Sequence, residues 1–467
     1  MKLKRLIGSR EFYKMVLAVA IPIMIQNGIT NFVSLIDNIM VGRVGTEQMS
    51  GVAIVNQLLF VFHISIFGAI SGPGIFGAQY YGCEDYKGVR DTMRFKVVIS
   101  LIVTAIGLGI FIAFGEPLIQ LYLHDGGSEG DVLKTLAYGK QYLQIMLLEL
   151  LPFAMAQVYS GTLRESGETM LPMKAGLAAV GVNLVGNYLL IYGKFGFPQL
   201  GVQGAAIATV LSRFVECGIV MYWTHHHKEK NPYAVGLYRE FSIPRKLTGQ
   251  IITKGAPLMA NEVLWAAGMA MLTQCYSLRG LAVIAGLNIA NTIINVFNVV
   301  YIAMGSAVSI IIGQLLGAGK MEEAKDTDYK LIAFSVFSCV IMGALLIAVA
   351  PFFPELYVTT DEAKSLATQL IWVSALCMPI QAFLHAAYFT LRSGGKTVIT
   401  FIFDSGFIWT ISIPLAYILS RFTPVPIVPL YFACQFVDIL KCILGFVLVK
   451  KGVWIQNIVA AKEKAFE

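Results

Sequence analysis

Charge is the first thing this sequence has little of. Only 13% of its 467 residues are Asp, Glu, Lys or Arg, about half of what a soluble protein of this size carries. It also lacks a disulfide framework. Cys217, Cys275, Cys339, Cys377, Cys434 and Cys442 fall in apolar runs, and Cys83 lies in a short charged loop. None has CxxC or other metal spacing, so they read as small apolar fillers. There is no P-loop, no HExxH and no Gly-x-Ser-x-Gly, which removes the common signatures of nucleotide hydrolysis, zinc proteolysis and serine hydrolysis. The N-terminus, MKLKRLIGSREFYKMVLAVAIP, has no small-residue cleavage pattern, and its apolar run is too long for a signal peptide.

What is present is apolar length. Hydrophobic residues make up 57% of the chain, with 44 Gly and a mean hydropathy of +0.70. Apolar runs at 15–41, 52–81, 97–115, 138–162, 171–192 and 201–223 are followed by a polar segment. Six more come at 255–277, 284–316, 331–353, 368–391, 398–420 and 426–449. Each is long enough to cross a bilayer as a helix. The expectation is an all-α integral membrane protein of twelve transmembrane helices in two six-helix bundles. The N-terminal lobe would be 1–224, the cytoplasmic linker 225–254, and the C-terminal lobe and short tail 255–467.

Basic residues set the orientation. With both termini on one side, that side's tails and loops carry 26 of the 35 Lys and Arg, and the opposite loops carry seven. Both termini and the 225–254 segment are therefore expected in the cytoplasm. The halves also repeat. GVAIVNQL (51–58) matches GLNIANTI (286–293), and AQYYG (78–82) matches GQLLG (313–317), both at the same offset along the chain. TLRESGET (162–169) matches TLRSGGKT (390–397) at a slightly smaller offset, and Pro22 and Pro257 share the offset of the first two matches. Six spans is an even number, so both units insert the same way, as parallel repeats about an axis along the membrane normal.

The charges inside spans are costly. Asp37 is the only formal charge between Met15 and Val41; an aspartate there costs roughly 2.5–3.5 kcal/mol on insertion scales. It must be protonated, paired or holding a cation. Asn183 and Asn187 in VNLVGNYLL share a helix face by their i, i+4 spacing. With Asp37, and with Thr209 from GAAIATV, their oxygens suit a hard cation such as Na⁺ or a protonated carboxyl. No other metal set is legible. Glu262 and Asp404 each stand eight residues past a lysine, Lys254 and Lys396 respectively. At the helical rise that spacing puts both at one depth, well inside the membrane. They form a second acidic pair able to take a proton or meet a cationic compound. Arg213 and Glu216, and Asp438 and Lys441, each sit i, i+3 and read as neutralised structural pairs. Glu149 has no evident partner. His63 and His385 read as neutral core histidines, and His225–His227 as a solvated basic segment. Pro22, Pro152, Pro257, Pro379 and Pro414 mark bends.

At these residues the sequence resembles the multidrug and toxic compound extrusion (MATE) family. The carriers are IDNIMVGRVG, GAQYYG, LRESGETMLPM, VNLVGNYLLIYG, GVQGAAIATVLSR, NIANTI, IIGQLLGAGK and LRSGGKT, in order over nearly the whole chain. The resemblance implies a secondary antiporter. It would export amphipathic, often cationic organic compounds across the cytoplasmic membrane in exchange for H⁺ or Na⁺, without an organic cofactor. Its partners would be those small molecules and the bilayer, not nucleic acid, and it would act as a monomer. The resemblance also implies a coupling role for Asp37. The family's tenth-span aspartate falls at Gln381 here, and the second acid of its fifth span falls at Asn187. A lipid-linked saccharide flippase of the same wider superfamily is the alternative, but such proteins usually line their cleft with several arginines. Here only Arg213 lies within the membrane.

Overall fold

In a computed structural model, residues 6–42, 44–123, 129–240, 242–357 and 359–460 are described, without the side chains of 34, 35, 37–39, 42, 46, 129, 130 and 281. Asp37 thus has a place on a helix, but its side chain lies outside the described residues.

Among the described residues the regular secondary structure is all helical, with no strand. In order they form α1 (Arg10–Gly42), α2 (Thr46–Gly82), α3 (Tyr86–Gln120), α4 (Glu129–Met146), α5 (Leu150–Glu165), α6 (Met170–Tyr192) and α7 (Val202–His226). The second half holds α8 (Arg245–Ser277), α9 (Leu281–Gly317), α10 (Met321–Val349), α11 (Asp361–Ser393), α12 (Thr397–Phe401), α13 (Ile413–Phe422), α14 (Ile427–Phe436) and α15 (Asp438–Lys451). A single 3₁₀ turn, Leu147–Glu149, joins α4 to α5, and two π-helical turns, Ile402–Gly406 and Ile408–Ser412, join α12 to α13. Each of these joints lies upstream of a proline. Pro152 and Pro414 have no N–H for the carbonyl four residues back, so the helix tightens or widens there instead of running on.

Taken through their joints, the helices give eleven stretches long and apolar enough to cross a membrane among the described residues. The remaining long helix, α8, is diluted by Asn261, Glu262 and Gln274. Several spans run past the apolar limits expected from sequence. The charged stretch 86–96 is the first three turns of α3, with Asp91, Arg94 and Lys96 all buried. It is helical because its charges have partners. Arg94 pairs with Asp91 at 3.1 Å and donates to the carbonyls of Leu237 and Gly236 at 2.9 and 2.8 Å; Arg90 donates to that of Tyr233 at 3.1 Å. Two arginines thereby hold the segment 232–238 against α3 by its backbone carbonyls. The Tyr238 hydroxyl in that segment bonds Tyr159 at 2.5 Å, and burial raises its pKa above the ordinary value. Arg94→Ala is expected to loosen 232–238, read as faster amide exchange there than in α9.

By its contacts the chain groups into two compact units. One contains residues 25–77 and 86–251; the other contains 1–24, 78–85 and 252–467. In the first, an apolar core gathers Val55, Leu59, Ile66, Leu150 and Ala206 from α2, α5 and α7. In the second, Val16 and Ala20 pack with Met304, Val308, Leu331, Leu391 and Trp454.

The repeated glycines have a reason there. A Cβ on Gly82 would strike the backbone carbonyl of Gln314, and one on Gly317 would strike that of Gln79. The two copies of the motif, far apart in sequence, cross backbone to backbone at the last turns of α2 and α9. Gln79 is fully buried at this crossing. Its amide donates to the Ser393 carbonyl at 2.9 Å, and its oxygen accepts from Ile458 N at 2.9 Å. Gly317→Val is expected to destabilise the fold by about 1–3 kcal/mol, the typical cost of overpacking, read as a lower thermal midpoint in detergent.

Candidate functional site

Each unit holds a buried polar cluster. In the unit containing 86–251, α6 and α7 approach closely because small residues face one another. A Cβ on Gly186 would come within 2.8 Å of the Ala208 Cβ. That approach brings Asn183 Nδ2 to 3.1 Å from Thr209 Oγ1, while Asn187 Nδ2 donates to Asn183 Oδ1 at 3.3 Å. Asn183 and Asn187 are 5% and 1% exposed, so this is an interior cluster and not a wet surface. Three of the four residues expected around a coupling cation therefore sit together. The same unit contains residue 37 of α1, and Tyr192 at the end of α6 donates to the Met40 carbonyl of α1 at 3.0 Å. What the cluster offers is amide and hydroxyl oxygen, ligands for a hard cation or acceptors for a carboxylic acid proton.

Arg213 and Glu216 form an ion pair at 3.0 Å. Glu149, without an evident partner in sequence, is 1% exposed on the 3₁₀ turn and has two. Its Oε1 lies 3.3 Å from His63 Nε2 and its Oε2 3.6 Å from Arg213 Nε. The guanidinium also lies over the Phe153 ring at 5.4 Å. A helical-spacing argument finds the pair on α7 but not its partners on other helices.

The second cluster lies in the unit containing 252–467. Asp404 is on the first π turn. Its Oδ1 accepts from Lys441 Nζ at 2.6 Å, and its Oδ2 from Asn261 Nδ2 at 3.1 Å. Asn261 Oδ1 in turn accepts from the backbone N–H of Ser405 at 3.2 Å and from its hydroxyl at 2.7 Å. A side chain from α8 thus takes a ladder donor out of the neighbouring helix, which suits the widened π geometry at that point. Asn261 also donates to Tyr388 Oη at 3.3 Å, and Tyr388 donates to Glu262 Oε1 at 3.4 Å. Glu262 and Asp404 therefore belong to one network. Asn261, Tyr388 and Ser405 are not candidates on sequence grounds, although Asn261 stands directly before Glu262 in a span and is the legible signal.

The expected Asp438–Lys441 pair does not form. Lys441 turns to Asp404 on another helix, and Asp438 accepts from Gln381 Nε2 at 2.8 Å. The Gln381 amide of α11 supplies Asp438 with a donor in place of the lysine one turn on. Lys441 is 6% exposed in an apolar span, and a buried ammonium does need a carboxylate. Gln381 is tied to Asp438, not to Glu262. His385 is partly buried between the rings of Tyr301 and Phe389, at 5.1 and 5.5 Å.

Comparison with known proteins is consistent with this arrangement. The MatE family model matches residues 22–189 and again 257–418, two copies that begin at the two repeat-related prolines. A probable multidrug resistance protein NorM of Thermotoga maritima is 25% identical over 466 residues, covering 98% of this chain and 96% of that one. The probable multidrug resistance protein YoeA of Bacillus subtilis is 22% identical over 416 residues, 87% of each chain. Among solved structures, an outward-facing multidrug resistance MATE family transporter of the MOP superfamily superposes with a TM-score of 0.83 at 20% identity, over 97% of this chain and 98% of that one. With two copies of the family pattern covering most of its length, on a multi-pass helical membrane fold, this chain belongs to the MATE family of multidrug efflux transporters.

Proposed function

We propose that this protein is a secondary antiporter. It exports amphipathic, often cationic organic compounds across the cytoplasmic membrane in exchange for H⁺ or Na⁺, by alternating access of lobes 1–224 and 255–467. Both termini and the 225–254 segment are placed in the cytoplasm by the bias of Lys and Arg, and the monomer is the working unit. The coupling ion is taken up at Asp37 with Asn183, Asn187 and Thr209. The observation that carries this reading is the buried Asn183–Asn187–Thr209 cluster, in the same unit as the one acid of the first span. Glu262 and Asp404, joined through Asn261 and Tyr388, are the second acidic site, with Gln381 nearby in sequence role but bonded to Asp438.

The experiment is dye efflux from energised everted vesicles, with proton and sodium gradients imposed separately. One gradient is expected to drive efflux and the other to be idle. Dye movement indifferent to both would remove the antiport reading.

A further inference from the structure

By its sequence setting Asp328 belongs to a cytoplasmic loop, but it lies within α10 at 0% exposure. It is unlike the other buried carboxylates. The others, Asp91, Glu149 and Glu216, at 1–4% exposure, each have a cation within 4.0 Å, whereas among the described residues Asp328 has none. Its Oδ2 has no hydrogen-bond partner, and its Oδ1 has a single one, Thr390 Oγ1 of α11 at 2.5 Å.

Thr390 has one hydroxyl proton and two acceptors for it, since the carbonyl of Ala386 lies 2.9 Å away. If that proton goes to Ala386, as a helical threonine commonly arranges, the hydroxyl oxygen faces Asp328 at 2.5 Å as an acceptor. Only a proton on Oδ1 makes that separation a bond. The hydrogen bonds then run in one direction, from Asp328 O–H to Thr390 Oγ1 and from Thr390 O–H to the Ala386 carbonyl. If Asp328 were ionised, one shared hydroxyl would be all that offset a carboxylate taken out of water, where an unpaired charge costs several kcal/mol.

The surrounding charges do not change this. On α10, Asp326 and Lys330 pair with each other at 2.5 Å. On α11, Arg392 stacks over the Phe389 ring at 5.2 Å. The apolar cluster that takes in Ala324, Leu331 and Ile332 of α10 is built by Val16 and Ala20 of α1 and Met304, Val308 and Ile312 of α9; Tyr13 of α1 lies against Phe334 of α10 at 5.0 Å and its hydroxyl accepts from Gly8 N. The other repeat makes a useful contrast. Thr162, the counterpart of Thr390 in the first repeat, accepts from Lys96 of α3 at 3.2 Å, and Lys96 is closed by Glu165 at 2.5 Å. The residue matching Glu165 is Ser393, so the second repeat has a charge-bearing group on the threonine and no opposite charge to close it.

We propose that Asp328 is a proton-binding site in the second repeat, separate from Asp37, and that it holds its proton in this conformation. It stands about two turns into α10 from the helix end placed at the cytoplasm, a short path for proton exchange on that side. The proposal does not depend on which ion drives efflux.

Infrared difference spectroscopy on the purified full chain in nanodiscs tests it. At neutral pH, wild type minus Asp328→Asn is expected to show a carboxylic-acid C=O band that wild type and Asp37→Asn share, and the band should vanish reversibly at alkaline pH. A difference containing only carboxylate bands means that Asp328 is ionised and overturns the proposal. A band unchanged from about pH 5 to about pH 10 marks an acid that never exchanges, far outside the perturbed range of carboxyl groups, and overturns it too. Should Asp328→Asn not fold, Thr390→Val in ¹³C-aspartate-labelled protein reads the same group. The acid band is expected to move to higher frequency as its hydrogen bond is lost, and an unmoved band counts against the site.

Discussion

Asp37→Asn is expected to yield a folded, inserted protein whose cation-driven efflux falls to the level of empty vesicles. The substitution keeps shape and removes the one group in the first span that can exchange charge. Antiport requires that cation and substrate change each other's affinity, and that coupling is reciprocal. An amide that neither ionises nor carries a formal charge leaves nothing for the gradient to act on. Substrate binding should persist, since the loss is of coupling and not of the site's volume. The measurement is dye efflux under the driving gradient beside equilibrium dye binding in detergent. Efflux unchanged from wild type would sink the coupling role of Asp37, whatever happened to binding.

Lys441→Met is expected to have the largest effect on stability. It leaves Asp404 as a buried acid with the Asn261 amide as its remaining close partner. Breaking a buried pair from one side typically costs about 3–5 kcal/mol, whereas replacing both partners by uncharged groups is often close to neutral. The double variant Asp404→Asn/Lys441→Met should therefore recover most of what the single variant loses. Thermal unfolding followed by size-exclusion chromatography reads both. A single variant as stable as wild type would show that the pair is not holding the π-helical turn against α15 and α8.

Much of this protein is legible without coordinates. The apolar runs, their number and the repeat come from summed local preference. Bilayer insertion depends on composition over some twenty residues, and a duplicated motif is visible whatever it touches. The i, i+4 placing of Asn183 and Asn187 is legible for the same reason, since helical periodicity puts two residues on one face. Their meeting with Thr209 also leaves a trace, in the small residues of GAAIATV that let α7 approach α6.

The pairing of charges across helices leaves no such trace. Periodicity says which side of a helix a residue is on, not which helix stands opposite. Asp438 and Lys441 look like a pair along one helix; packing gives the lysine to Asp404 and the aspartate to Gln381. The start of α10 reads as a loop because its charges look solvated in sequence, which puts Asp328 outside the membrane. Its setting becomes visible only when α11 brings Thr390 to it.

The amino-acid order alone thus determined a twelve-span helical transporter built of two like halves, with a lone acid in its first span, because partition into lipid and repetition are properties of a string. Tertiary structure alone decided the partners of the buried charges and where a helix opens into π turns. Both depend on how neighbouring helices are rotated and how closely they pack, which is set by side chains far apart in the chain.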